Sequence, residues 1–509
     1  MAKKIFYVTT PLYYVNAQPH IGHSYTQVMC DCIARYRRLK GQDVFFLTGT
    51  DEHGQKVASC AQKASLGPVE FADGIVRKFK QLWQDLDISY DDFIRTTQTR
   101  HIRAVTKALE ILYEKSDIYE GEYEGYYCVC CETFWPESQL KDGLCPDCAR
   151  AVEPIREKNY FFKLSSYQQW LIDYISRNPG FIKPDFRRNE VMGYLKEPLK
   201  DLCISRPKER LDWGIPLPFA PGYVVYVWFD ALINYISACG WADDYARFET
   251  VWPCDIHMIG KDILRPHAVY WPIMLHALGI DLPKTIFAHG WWLTAGEKMS
   301  KSKGNVIDPF HLINKYGKNA YRYFMLREMT PGLDGTLSEE AFVARFNSDL
   351  ANDIGNLLNR TLTMVEKYFD SIIPDKGVSD EEGRLIESKL CSLVSCFDVF
   401  FAEFKFNQAL MAVWDIINAA NKYIEVSKPW AMAKSGNLEN LKSVICILLK
   451  VLEYCVFLLY PFMPQASLQI AAQLGIVLDE KAMNIKDAGG MLKAGSKVNK
   501  PDPVFPRIR

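Results

Sequence analysis

A chain of 509 residues exceeds one ordinary hydrophobic core, so several domains are expected, and 49% apolar against 24% charged residues excludes a disordered chain. With 60 basic and 61 acidic residues the net charge is -1, which excludes indiscriminate affinity for nucleic acid and leaves room only for a local basic footprint. Fifteen cysteines, an odd number, exclude a fully paired disulfide framework; with no apolar or basic leader ahead of the first strand, the expected compartment is the cytoplasm.

Residues 5–10 predict a short buried strand, followed by a loop from Pro11 to Pro19 that carries Leu12 and Tyr14. His20-Ile21-Gly22-His23 comes next and opens a helix expected over 24–40, ending at Gly41. Val44 to Gly49 predicts a second strand that runs into Asp51-Glu52-His53-Gly54, and helices follow around 68–85 and 100–115. This βαβα order implies a parallel sheet with its ligand at the carboxyl ends of the strands. No Gly-x-Gly-x-x-Gly follows the first strand, which argues against a dehydrogenase-type dinucleotide fold. His20 and His23 at a helix start can offer imidazole N–H groups, with the helix amides, to phosphate oxygens, and Gly22 leaves bare backbone for an adenine. The alternative is a pair of surface histidines beside a turn. Asp51, at a strand end, is placed to hold an ammonium group or to cap a helix.

From about 116 the pattern turns irregular, and an insertion over 116–222 is expected to split the sheet. It carries Cys128-x2-Cys131 and Cys145-x2-Cys148, a spacing that delivers four thiolates tetrahedrally to a structural zinc, with Cys130 as a substitute ligand. Strand character resumes at Tyr223 to Trp228 and at Ile256 to Gly260. Trp228, Ala231, Leu232 and Tyr235, then His289 and Trp291 or Trp292, supply flat apolar walls suited to a soft side chain. Gly260-Lys261-Asp262 ends one strand, while His257 fits a core position equally well. Lys298-Met299-Ser300-Lys301-Ser302-Lys303-Gly304 is a loop of mobile point charges fit for a phosphate whose charge changes during reaction.

From 341 onward apolar residues recur at helical spacing and predict a bundle of about five helices. Asn356 and Arg360 point away from the apolar stripe of their helix, and Pro429-Trp430 stops another. Asn and Arg could read base edges and an exposed Trp could stack a base, or all three could be ordinary helix residues. Val444 to Leu459 is interrupted by Lys450 and Glu453, hence a buried helix and not a membrane span. The tail to Arg507 is expected to pack as an extended strap.

His20-Ile21-Gly22-His23 and the Lys298 to Ser302 segment resemble the two signatures of the class I aminoacyl-tRNA synthetases, and over nearly the whole chain the resemblance narrows to the methionyl-tRNA synthetase family, of the bacterial-like, single-zinc type. It implies an α/β fold: a Rossmann-like catalytic domain in two halves (1–115 and 223–289), the zinc-binding insertion at 116–222, a linking region at 290–340 with the lysine loop, and a helical anticodon domain at 341–509. The implied reaction joins methionine to tRNA(Met), initiator included, through methionyl-adenylate, with magnesium accompanying ATP and a single chain as the working unit. His20, Gly22, His23, Gly260, Asp262, Lys298 and Lys301 are then the ATP residues, with His20, His23, Lys298 and Lys301 catalytic. Leu12, Tyr14, Asp51, Trp228, Ala231, Leu232, Tyr235, His289 and Trp292 are the methionine residues, and Asn356, Arg360, Pro429 and Trp430 meet the CAU anticodon. Competing readings are another class I synthetase for an apolar amino acid, or a tRNA-binding nucleotidyltransferase-like relative that does not charge. The insertion is too short for the editing domain of the first, and methionine-dependent pyrophosphate exchange separates the second.

Overall fold

The computed structural model describes the chain apart from residues 1–3, 130–132, 136, 147, 295–296, 299–306, 378–379, 500–501 and 509. It separates into two compact units, the first made of Met1–Pro19, Val44–Trp83 and Tyr90–His289, the second of His20–Asp43, Gln84–Ser89 and Gly290–Arg509.

Strands of the first unit are β1 (Phe6–Thr9), β2 (Tyr13–Tyr14), β3 (Val44–Asp51), β4 (Asp92–Arg95), β5 (Ile118–Cys128), β6 (Thr133–Trp135) and β7 (Glu153–Phe162). They continue with β8 (Ile182–Lys183), β9 (Leu202–Cys203), β10 (Ser205–Pro207), β11 (Pro216–Leu217), β12 (Ala220–Val225), β13 (Ile256–Gly260) and β14 (Thr285–His289). Seven of these form a parallel sheet in the order β2-β3-β1-β13-β14-β8, with β4 also paired to β3. Every residue of β1 is buried, as a strand covered on both faces requires. A side chain at Gly49 of β3 would strike the Ile94 carbonyl of β4, so glycine is what lets these strands lie together. Tyr7, Leu47, Ile94, Leu109, Phe229 and Trp271 belong to the unit's continuous apolar core.

Tyr223 to Trp228 was expected to resume the main sheet, yet β12 runs antiparallel to β10 and β11 in a small sheet of its own, and Val227 already opens a helix. Conversely β8, within 116–222, joins the edge of the parallel sheet beside β14. A short apolar run carries no signal for which edge it pairs with, and these two were indistinguishable by pattern. Antiparallel β6-β5-β7-β9 carries the cysteines.

The second unit holds the helix Ile21–Leu39, a small sheet in which β15 (Trp292–Thr294) lies between β16 (Glu297–Lys298) and β17 (Gly335–Thr336), and a set of long helices. Among them are Lys318–Glu328, Asn356–Phe369, Glu381–Ala402, Phe406–Ser427 and Leu438–Leu459. Helix Ile21–Leu39 is fixed by a buried charge node. Asp31 accepts from Arg35 Nε at 2.8 Å, from the Ser89 amide at 2.7 Å and hydroxyl at 2.6 Å, and pairs with Arg322 at 2.7 Å. Burial alone would lift the Asp31 carboxyl, but the two guanidinium groups outweigh it and hold the group at about 2. Arg322 spends its other donors on the carbonyls of Leu86, Pro461 and Phe462. At the far end of the helix, Tyr36 and Lys40 both reach Asp398 at 2.7 Å. The tail is held by paired bonds between Asn347 and Ile508 and by the Met491 amide on the buried Glu453 carboxylate at 2.6 Å.

Candidate active site

A cavity of about 220 Å³ opens in the first unit where β1, β2, β3 and β13 end. Of the nine residues predicted for an amino-acid pocket, the fold gathers seven on its wall: Leu12, Tyr14, Asp51, Trp228, Ala231, Leu232 and Tyr235. Two sides are tied by backbone pairing, since Tyr14 of β2 stands in register with Asp51 of β3. The short helices Val227–Leu232 and Asn234–Ser237 supply the third side. His289 is not on this wall; it ends β14, where a side chain on Gly260 would meet Asp262 Oδ1 at 2.6 Å and His289 Cε1 at 3.8 Å. Trp292 lies in the core of the second unit, 5.8 Å from Tyr25 and from Phe324.

Pro11, from the loop after the first strand, also lines the cavity, as do Val227, Asn234, Ile263 and His267, which the sequence does not single out. His267 donates from Nδ1 to the Ile263 carbonyl at 2.8 Å, so its Nε2 accepts from the Tyr235 hydroxyl, also at 2.8 Å. Burial brings its pKa down to about 4, so the imidazole is neutral at physiological pH. Asp51 is then the charged side chain of an otherwise neutral, aromatic wall. His257 is a core residue: Trp271 donates to its Nε2 at 3.2 Å, its Nδ1 faces Thr9 Oγ1 at 2.8 Å, and burial lowers its pKa well below the usual range.

The residues after Asp51 anchor it. Glu52 is fully buried and accepts from Arg95 at 2.6 and 3.0 Å, from Thr50 at 2.7 Å and from Thr97 at 2.6 Å. His53 donates from Nδ1 to Asp230 at 2.6 Å, and His101 donates from Nε2 to the other Asp230 oxygen at 2.7 Å. Burial works against the Asp230 charge, but the two imidazoles prevail and bring its carboxyl to about 2. One carboxylate therefore staples the Asp51 loop to the helix bearing Trp228, Ala231 and Leu232.

In the second unit His20 is the N-cap of helix Ile21–Leu39 and not part of its face. Its Nδ1 accepts from the Gly22 amide at 3.1 Å, and its own amide donates to His23 Nδ1 at 3.3 Å. The rings stack at 3.7 Å, and a side chain on Gly22 would press on the His20 ring at 3.0 Å. With Nδ1 of each ring accepting, the neutral proton sits on Nε2. Burial, then the neighbouring His20, keeps His23 well below the ordinary histidine range, so it is a neutral donor. Of the predicted lysine loop, Lys298 is in β16 and Lys301 lies outside the described residues.

Cys128, Cys145 and Cys148 bring their sulfurs within 4.8 Å of one another, Cys128 and Cys148 at 3.5 Å; Cys131 lies outside the described residues. A tetrahedral zinc at about 2.3 Å from each sulfur separates thiolates by about 3.8 Å, so this donor set fits a metal ion. On the bundle, Asn356 is exposed and Arg360 donates to Glu425 at 2.7 Å. Lys428 takes a left-handed conformation (φ 49°), Pro429 starts a new helix, and Trp430 stands 45% exposed.

The family profile described as "tRNA synthetases class I (M)" matches residues 6–154 and 150–362, and that described as "Anticodon binding domain of methionyl tRNA ligase" matches 373–509. The methionine–tRNA ligase of Caldanaerobacter subterraneus subsp. tengcongensis is 48% identical over 99% of this chain and 79% of its own length. That of Thermotoga maritima is 43% identical over 99% of the chain and 80% of its own. Among solved structures, Mycobacterium tuberculosis methionyl-tRNA synthetase in complex with methionyl-adenylate is 40% identical, covers 99% of this chain and 100% of its own, and superposes with a TM-score of 0.96. By sequence along its whole length and by fold, this chain belongs to the methionyl-tRNA synthetase family of class I aminoacyl-tRNA synthetases.

Proposed function

We infer that the protein joins methionine to tRNA(Met) through methionyl-adenylate, and that the cavity ending at Asp51 is where it selects the amino acid. The observation that carries this is a small wall of neutral aromatic and aliphatic groups with one carboxylate. Asp51 matches an ammonium, while Trp228, Tyr235 and the neutral His267 match an uncharged, polarisable thioether. A charged imidazole there would reject such a side chain. Hydrophobic contact of this kind discriminates by about 1–3 kcal/mol per methylene.

His20 and His23, each accepting at Nδ1 and so left with Nε2 to donate, serve as donors to ATP phosphate oxygens, and Lys298 and Lys301 supply compensating charge as pyrophosphate leaves. Gly260 and Asp262 hold the ribose, and His289 stands beside them. No side chain acts as a nucleophile: the methionine carboxylate attacks the α-phosphate, expelling pyrophosphate, and a terminal ribose hydroxyl of tRNA then takes the methionyl group, expelling AMP. Magnesium travels with the ATP phosphates. Cys128, Cys145 and Cys148, with Cys131 as fourth ligand, hold a zinc whose contribution is structural, since four thiolates leave no open position. Asn356, Arg360 and Trp430 read the anticodon, Trp430 by stacking. In this reading the protein works in the cytoplasm as a single chain; among the described residues no helix is long and apolar enough to cross a membrane. The test is ATP–pyrophosphate exchange, which should require methionine; exchange that proceeds equally without it, or with leucine in its place, overturns the reading.

A further inference from the structure

Asn234 is 1% exposed and lies on the wall of the Asp51 cavity. Its side-chain nitrogen donates to the Ala231 carbonyl at 2.6 Å, while its side-chain oxygen is buried and has no hydrogen-bond partner among the described residues. The orientation is not interchangeable: swapping the two atoms would set the oxygen against the Ala231 carbonyl, two acceptors in contact. A buried amide oxygen without a donor costs about 1–3 kcal/mol, a cost that a fold retains where a ligand relieves it.

The neighbouring polar groups do not relieve it. Tyr235 gives its hydroxyl proton to His267, and His267 gives its own to Ile263. Because Asn234 is a wall residue of the cavity, a donor can come from what occupies it. Methionine has a thioether and a carboxylate, which only accept, and an ammonium, which is its one donor group. We propose that the Asn234 side-chain oxygen is a second acceptor for the substrate ammonium beside Asp51, and so fixes how the amino acid is oriented in the cavity. This rests on the methionine reading of the cavity. It makes Asn234 a residue that selects for an α-amino group by neutral hydrogen bonding, where Asp51 does so by charge. Nothing about the thioether depends on it.

Competitive inhibition of methionine-dependent pyrophosphate exchange tests this with a matched pair of ligands, methioninol and 4-(methylthio)butan-1-ol, identical but for the ammonium. Asn234→Ala should weaken methionine and methioninol about tenfold or more, the range for a hydrogen bond to a charged group, and leave the desamino alcohol unchanged. Equal weakening of both ligands would assign the oxygen to an ordered water or to packing and overturn the proposal, as would no weakening of either. If Asn234→Ala does not fold, Asn234→Ser, whose hydroxyl can still donate to the Ala231 carbonyl, is read by the same pair. Wild-type protein without methionine-dependent exchange would instead overturn the function reading itself.

Discussion

Asp31→Asn should destabilise the protein and disturb His20 and His23 together. Asp31 is fully buried, and its pKa falls from an ordinary 3.8 to about 2 because Arg35 and Arg322 lie 2.8 and 2.7 Å away. A depressed carboxyl contributes stability that is present above the unfolded value and is lost as pH falls through the folded one. At about 1.4 kcal/mol per pH unit, this carboxylate is worth about 2 kcal/mol at pH 7, all of it lost between roughly pH 4 and pH 2. Replacing it also leaves the fully buried Arg322 without its counter-ion, and breaking such a pair costs about 3–5 kcal/mol. Denaturant unfolding at pH 7 should therefore show a deficit of about 3 kcal/mol or more, which shrinks as both proteins are taken below pH 4. Because the helix anchored by Asp31 begins at His20, any folded variant should show a raised KM for ATP in exchange. A deficit under 1 kcal/mol, or one that stays constant from pH 7 to pH 3, would refute the account of the node.

Asp230→Asn breaks the staple between His53 and the helix of Trp228, and should raise the KM for methionine severalfold while leaving that for ATP near wild type; exchange assays with each substrate varied in turn decide it. Trp430→Ala should weaken tRNA(Met) charging about tenfold, within the range of about 1–3 kcal/mol for one stacked base, and spare adenylate formation. Equal loss of both activities would make Trp430 a packing residue. Purified protein should contain about one zinc per chain, and Cys145→Ser should lose it, measured by elemental analysis and by chelator-induced loss of structure.

Motifs with local chemistry were legible in the sequence. The cysteine pairs, Asp51 at a strand end and six further cavity residues could be named because each sits at a recognisable place relative to a strand or a helix. His267 was missed because it stands in a short apolar helical segment, Pro266–Tyr270, where a histidine reads as core; only its bond to Tyr235 shows which side faces the cavity. Asn234 was missed for the same reason, since an isolated amide in a hydrophobic run gives no hint of an unmet oxygen. Trp292 erred in the other direction: proximity in sequence to the lysine loop said nothing about which core would take the ring. The placement of β8 and β12 depended on pairing between distant segments, which hydrophobic pattern leaves open.

Every residue lining the Asp51 cavity comes from the first unit, whereas His20, His23 and the strand carrying Lys298 belong to the second. In the proposed function, substrate choice and phosphate handling therefore draw on different sets of residues. Drift that widens or narrows the room for a side chain is free to accumulate in one body of residues while selection on energy coupling acts on another, and a laboratory library aimed at non-natural amino acids can be confined to the first.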